Sequence, residues 1–223
     1  MRMKRILVVC AHPDDETLGM GGTIALHTRK KENVFVLIIS EGESARGKNK
    51  SKITQRKNQA EKACELLGVK EIKFLDYADQ KLDTIPLSEL SRRIETVIKK
   101  WKPNIVYTHF WNDINQDHRQ VYEATAIAVR PIPKSKISQF IVFETPSSTE
   151  WGSKKKSFSP NLFIDITKVM NKKLQAFSKY KNEVMSYPHP RSKKGVTNRA
   201  KFWGNTVGLE FAESFMLVRE IKL

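Results

Sequence analysis

Five consecutive apolar residues, Ile6-Leu7-Val8-Val9-Cys10, break directly into Ala11-His12-Pro13-Asp14-Asp15-Glu16, and no other feature constrains the fold of this chain as tightly. A run so short and so apolar reads as a buried strand whose end opens into a loop. Loops at the carboxyl ends of strands in open α/β sheets are where ligands bind. Three carboxylates gathered there repel one another unless a cation compensates them. The arrangement recurs: Ile105-Val106-Tyr107-Thr108 runs toward Asn112-Asp113-Ile114-Asn115-Gln116-Asp117-His118. The two clusters read as halves of one metal site.

Between and beyond these junctions the apolar spacing alternates between strand and helix periods. Strands are expected over 5–10, 34–39, 72–75 and 105–108, and helices over 22–31, 54–67, 87–100 and 118–129. Gly68 stops the second helix, and a polar, lysine-rich loop opens at Ser40. Later come strands over 140–143 and 162–165, a long amphipathic helix over 166–185 and a short apolar element over 211–219. A flexible loop carrying Trp151 is expected over 146–160, and Tyr187-Pro188-His189-Pro190-Arg191 reads as a rigid polar turn. This rhythm predicts an α/β, Rossmann-like three-layer (αβα) fold with a mostly parallel sheet and helices on both faces.

A chain of 223 residues buries a full core and reads as one domain over 1–223. With 39% hydrophobic and 29% charged residues it has the composition of a globular protein. No apolar stretch approaches the roughly 18 residues a membrane helix needs. The basic start Met1-Arg2-Met3-Lys4-Arg5 resembles a signal peptide, but its apolar run is too short and meets His12-Pro13 at once. A cytoplasmic location is expected. Cys10 and Cys64 sit in apolar settings and read as buried free thiols. The formal charge of +16 permits nucleic-acid binding and favours an anionic small substrate, although lysine-rich faces are also ordinary solvated surface. There is no zinc-finger spacing, RNA-binding aromatic motif or long basic tail.

His12 and His118 are the best histidine ligand candidates, since each stands beside carboxylates near a strand exit. One carboxylate of the first cluster completes a two-histidine, one-carboxylate set, which suits zinc and also iron. The other sits beside the centre as a base, and the residues alone leave open which of Asp14 and Asp15 does which. The alternative is a capping cluster that bonds backbone amides at a helix start. Gly19-Met20-Gly21-Gly22 lacks the order and position of a dinucleotide loop and reads as close packing where a loop enters its helix.

Ala11-His12-Pro13-Asp14-Asp15-Glu16, followed by Gly19 and Gly21-Gly22, resembles the signature of the LmbE-like, or PIG-L, family of zinc-dependent N-acetyl-sugar deacetylases. Asp117-His118 is similar to that family's second motif. Arg56 with Ala63 and Leu67-Gly68 resembles its Arg-centred helix, and Gly204, Gly208, Ala212-Glu213 and Phe215 its C-terminal pattern. The resemblance implies zinc held by His12, Asp15 and His118, with Asp14 as general base. It also implies hydrolysis of a sugar acetamide, a non-peptide C–N bond, with release of acetate. Asp117 then orients a ligand histidine or caps the helix of His118, and Glu16 either supports the centre or starts a helix.

One departure matters. Several members carry a histidine three residues before the ligand histidine, where this chain has Asn115. Asparagine donates a hydrogen bond to an oxyanion but supplies no proton to a leaving amine. Protonated Asp14 and His189 are the candidates for that proton, with His109 a weaker one and His27 structural. Arg56 and Trp111 are expected at the substrate, against plain surface or packing roles, and Gln59 stands where the family often has glutamate. Trp151 is expected in a lid. The expected partner is a small amino-sugar conjugate, with no membrane and no nucleic acid, and the resemblance points to a trimer or hexamer. The rival readings are a metal-dependent phosphoesterase, a non-sugar amidase, and a basic nucleic-acid-binding protein with a structural metal.

Overall fold

The computed structural model describes residues 3–47 and 49–222; Met1, Arg2, Lys48 and Leu223 lie outside the described residues, as does the side chain of Lys154. In chain order it runs β1 (Arg5–Cys10), α1 (Asp15–Arg29), β2 (Asn33–Ser40), α2 (Lys50–Leu67), β3 (Glu71–Tyr77), α3 (Leu87–Trp101) and β4 (Ile105–His109). It continues with α4 (Gln116–Ala128), β5 (Gln139–Phe143), β6 (Leu162–Asp165), α5 (Met170–Phe177), α6 (Lys193–Thr206) and β7 (Ala212–Glu220). The strands form one sheet in the order β3-β2-β1-β4-β5-β7-β6. The first five are parallel, and β7 pairs antiparallel with both β5 and β6.

Side chains alternate across the pleat, so the sheet divides the interior into two cores. Ile6, Val8 and Cys10 pack with α1, α2 and α5 on one face. Leu7, Val9 and Ala11 pack with α3 and α4 on the other. This is the three-layer α/β arrangement expected from the alternating pattern. Strand order reverses between β1 and β4, which opens a crevice beyond their carboxyl ends. Cys10 and Cys64 are buried and unpaired. No helix among the described residues is long and apolar enough to cross a membrane.

Several expected boundaries move. Helix α1 begins at Asp15 rather than at residue 22, and every residue from Asp15 to Ala25 is buried. A helix sunk on all sides shows no amphipathic period, which hides its start. The three glycines therefore lie inside the helix. Met20 breaks it with φ −149° and ψ 26°, and the groups freed there are satisfied from elsewhere in the fold. Lys173 Nζ donates to the Leu18 carbonyl at 2.9 Å and pairs with Glu213 Oε1 at 2.6 Å. Glu213 in turn accepts from the amides of Gly22 and Thr23 at 2.8 and 2.6 Å. A buried ion pair thus stands in for the missing turn of helix. A Cβ on Gly22 would lie 2.7 Å from Ile166 Cγ2, so this close approach requires glycine. Replacing Lys173 by methionine leaves Glu213 buried without its cation. The expected cost is about 3 kcal/mol of unfolding free energy, read from the urea midpoint.

Other differences follow the same logic. The expected long helix over 166–185 is a 3-10 turn followed by α5, which ends at Phe177; Tyr180 and Glu183 are then buried from turns. Helix α2 starts at Lys50, four residues early, capped by the Asn49 side chain. Helix α6 was not expected, and the apolar element over 211–219 is a nine-residue strand. The loop over 146–160 contains two 3-10 turns, and Asn112 Nδ2 ties it down by donating to the carbonyls of Ser153 and Lys156.

Candidate metal centre

The centre assembles in the crevice where strand order reverses. Beyond β1, the backbone turns through Asp14, whose φ of 113° lies in the left-handed region that a side chain resists. Two groups hold it there. Its N–H donates to Glu16 Oε2 at 3.1 Å, and its carbonyl accepts from Thr17 and Leu18 at the start of α1. The Asp14 side chain caps nothing, so the capping alternative fails for it. Asp15 closes the turn instead, accepting from His12 N at 2.8 Å.

The nitrogen and oxygen donors of His12, Asp15 and His118 lie within 4.8 Å of one another. His12 Nδ1 is 3.6 Å from Asp15 Oδ2, and His118 Nε2 is 3.5 Å from Asp15 Oδ1. His118 Nε2 is buried and has no hydrogen-bond partner, an arrangement that is costly unless a ligand completes it. Two imidazoles and a carboxylate converging on one point are the donor set of a catalytic zinc site with positions left open. The residues therefore fit a divalent cation.

The far nitrogen of each histidine faces a carboxylate, which fixes tautomer and orientation. His12 Nε2 lies 3.0 Å from Asp117 Oδ2 and 3.2 Å from Asp79 Oδ1. Asp117 is itself pinned by the amides of Gln80 and Leu82, so it orients His12 rather than capping the helix of His118. A second group able to hold a cation, His12 with Asp79 and Asp117, uses this same Nε2. When it ligates a metal the His12 imidazole is neutral, and with its Nε2–H shared between two acids its lone pair is on Nδ1, so the two sets do not act together. His118 Nδ1 lies 3.2 Å from Asp113 Oδ2. Asp113 accepts from the hydroxyls of Ser148 and Thr149. Burial pushes its carboxyl up, but the His118 ring and these hydrogen bonds outweigh that and hold it at about 2.

His109 stacks on His118 with ring centroids 3.9 Å apart. Its Nε2 accepts from Ala11 N at 2.9 Å, which places its proton on Nδ1, 3.2 Å from Thr145 Oγ1. Burial, then the neighbouring His118, lower its pKa to about 4. The fully buried ring packs against the centre, with Nε2 also 3.3 Å from Asp15 Oδ2.

Asp14 lies between two guanidiniums, 3.2 Å from Arg56 Nη2 and 3.4 Å from Arg191 Nη1. Burial pushes its carboxyl up and the two arginines pull it back, leaving it at about 6. Arg56 is buried, which removes the surface-arginine alternative. Its Nε donates to the Pro13 carbonyl at 3.1 Å, and its Nη1 contacts Glu183 and, at 3.5 Å, Glu43. The guanidinium thus grips Asp14 through Nη2, while its buried Nη1 has no hydrogen-bond partner. Glu183 also receives Arg46 and Arg191, both through hydrogen bonds. The acid paired with Arg56 thus comes from beyond α5, not from the α2 position that Gln59 holds.

The remaining expected residues fall as follows. Asn115 caps α4, its Oδ1 accepting from Asp117 N at 2.9 Å. His189 folds onto its own turn, where Nδ1 accepts from Arg191 N at 3.0 Å; the turn brings Arg191, not His189, to Asp14. Trp111 packs against Phe110 and Tyr122. Trp151 is exposed on its 3-10 turn. His27 is structural, bonded to Glu32 at 2.5 Å. Asp79, Glu183 and Arg191 carry no expected role at the site, and Asp113 only membership of the second cluster. Asp79 and Asp113 do follow β3 and β4, the strand-exit signal that marks the first cluster, whereas Glu183 shows no local sign of its partners.

The model of one family, described as GlcNAc-PI de-N-acetylase (PIG-L), matches residues 7–129. The diacetylchitobiose deacetylase of Thermococcus kodakarensis is 26% identical over 99% of this chain and 85% of its own. A 4-oxalmesaconate hydratase of Pseudomonas putida is 31% identical over 78% of this chain and 71% of its own. The solved structure of N,N'-diacetylchitobiose deacetylase from Pyrococcus horikoshii superposes with a TM-score of 0.78 at 22% identity, covering 98% of this chain and 85% of that one.

Proposed function

This chain belongs to the PIG-L family of GlcNAc-PI de-N-acetylases, and from that premise we propose that it is a zinc-dependent hydrolase that removes the N-acetyl group from an N-acetylglucosamine-containing sugar and releases acetate. The observation that carries the reading is the buried, partnerless His118 Nε2 converging with His12 and Asp15 beside a carboxylate clamped by two arginines. His12, Asp15 and His118 would hold the zinc, which when bound lowers the pKa of water and polarises the amide carbonyl.

The chain's own groups do the rest. Asp14 accepts the proton of the attacking water. Arg56 and Arg191 fix its carboxylate and stabilise its ionised form against burial. With Asn115 capping α4 and His189 turned onto its own loop, Asp14 is also the group that returns the proton to the leaving amine. Asp113 and Asp117 keep the two imidazoles aimed inward. Asp14 serves as a base only when ionised, and a bound cation lowers its pKa from the value of about 6 set by the protein. The acid limb of kcat/KM is therefore expected at or below that pH, with about tenfold loss per unit beneath it.

The test is acetate release from N-acetylglucosamine glycosides, chitin oligomers and sugar nucleotides by zinc-loaded protein. An unsaturated dicarboxylic acid is included because of the hydratase relative. Acetate release is the expected result. Hydration of the alkene without acetate release, or no turnover at full zinc occupancy, overturns the deacetylase reading.

A further inference from the structure

α2, the end of α5, the turn that follows it and the start of α6 line an open groove of about 1110 Å³. Four lysines line it, Lys62, Lys179, Lys181 and Lys193, all exposed. None of them forms an ion pair among the described residues, although Lys57 on the same helix pairs with Asp76 at 2.6 Å. Among the described residues no acidic and no aromatic side chain lines the groove, and Leu66 is the one aliphatic residue there. The other seven lining side chains, Gln55 and Asn58 among them, end in hydroxyls or carboxamides.

We propose that this groove binds an anionic glycan, with the lysines at its acid groups and the hydroxyl and amide side chains at its sugar hydroxyls. Two features of the lining select that occupant. Four uncompensated cations in one concavity create a field that attracts anions. Side-chain amides and hydroxyls both donate and accept, which is the complement of a polyol. Single-stranded nucleic acid is bound on aromatic stacking platforms, and the groove has none. A lipid or an amphipathic helix needs an apolar floor, and Leu66 alone does not make one.

The position ties the groove to the centre. Gln59 lines it one helical turn along α2 from Arg56, whose guanidinium grips Asp14. Lys181 and Lys193 bracket the segment that carries Glu183 and Arg191. The proposal rests on the deacetylase reading in one respect: it makes the substrate a charged polymer or oligomer, one part of which lies along α2 while an acetamide reaches the centre. The surface itself is tested by binding, without turnover.

The experiment is calorimetric titration of the Asp14→Asn protein with a hyaluronan octasaccharide, which carries acetamides and carboxylates in alternation. A chitin oligomer of equal length and a short DNA duplex are run beside it, each at low and at high salt. The expected result is salt-sensitive binding of hyaluronan, tighter than that of the neutral chitin oligomer. Binding should weaken at least about tenfold when Lys62→Glu and Lys179→Glu are combined. That double variant, made in the wild-type background, is expected to keep its melting temperature and its turnover of a small neutral acetamido sugar. Equal binding of hyaluronan and chitin oligomer, binding indifferent to the lysine changes, or duplex DNA bound as tightly as hyaluronan each overturns the proposal. Hyaluronan binding without acetate release from any substrate by the wild-type protein keeps the groove and removes the deacetylase reading.

Discussion

Asp14→Asn is expected to lower kcat for acetate release by about three orders of magnitude, the range of a lost general base, while the protein keeps its full zinc content. The side chains are isosteric, so the left-handed turn at 14 and its hydrogen bonds to Glu16, Thr17 and Leu18 remain available. Arg56 loses a charge partner but keeps Glu183 and the Pro13 carbonyl. His12, Asp15 and His118 are untouched. Steady-state rates taken beside metal analysis of the same preparation separate the roles. A kcat within tenfold of wild type removes Asp14 as the base, and loss of zinc makes it a ligand instead.

His118→Ala has the opposite signature. One of three protein donors is gone, so zinc is expected to leave on dialysis. The wild-type protein is expected to gain stability from excess zinc by mass action, about 2.7 kcal/mol at a hundred times Kd. For a chain of this length that corresponds to a rise in Tm of roughly 5–10 °C. The variant shows no such rise. Asp113→Asn lies between the two, with zinc affinity reduced about 10–100-fold because the imidazole is kept and only its orienting acid is lost. Zinc retained by His118→Ala places the cation elsewhere, and the group of His12, Asp79 and Asp117 becomes the candidate.

Strands β1, β2, β4 and β5 were legible because each is a short apolar run bounded by turn residues that buries both faces. Helix α1 was misplaced for the converse reason. Burial on every side and three glycines erase the period that normally marks a helix, and the kink at Met20 is stabilised by Lys173 and Glu213 from distant segments. Apolar spacing over 166–185 continued past the true end of α5 because Tyr180 and Val184 are still packed inward, from turns rather than from helix. In α6 the residues that face the core, Val196, Ala200 and Gly204, are small, and Gly195 and Gly204 depress helix propensity.

At the centre, the residues that follow β1 and β4 could be read locally, since acids packed beside histidines at a strand exit are conspicuous. The grip on Asp14 could not. Arg56 looks like one basic residue among many on a lysine-rich helix until Glu183, more than a hundred residues later, is placed against it. His189 attracted attention as a titratable group in a stiff turn, but the turn presents its neighbour Arg191. The difference between a surface cation and a buried clamp arises from tertiary contacts alone.

The position of β7 has a consequence for how the chain is made. It follows the other six strands in the chain, yet it sits inside the sheet, joining β5 to β6. Until it has been synthesised, β5 presents an unpaired edge, and β6 has no neighbour in the sheet to pair with. Glu213, which completes the kinked α1, lies on this same strand. The elements up to α4 can gather on the ribosome, but the layer around α1 closes only when the last strand inserts. A nascent chain halted before β7 is therefore expected to be a protease-sensitive intermediate with an open sheet edge, the species on which a chaperone would act.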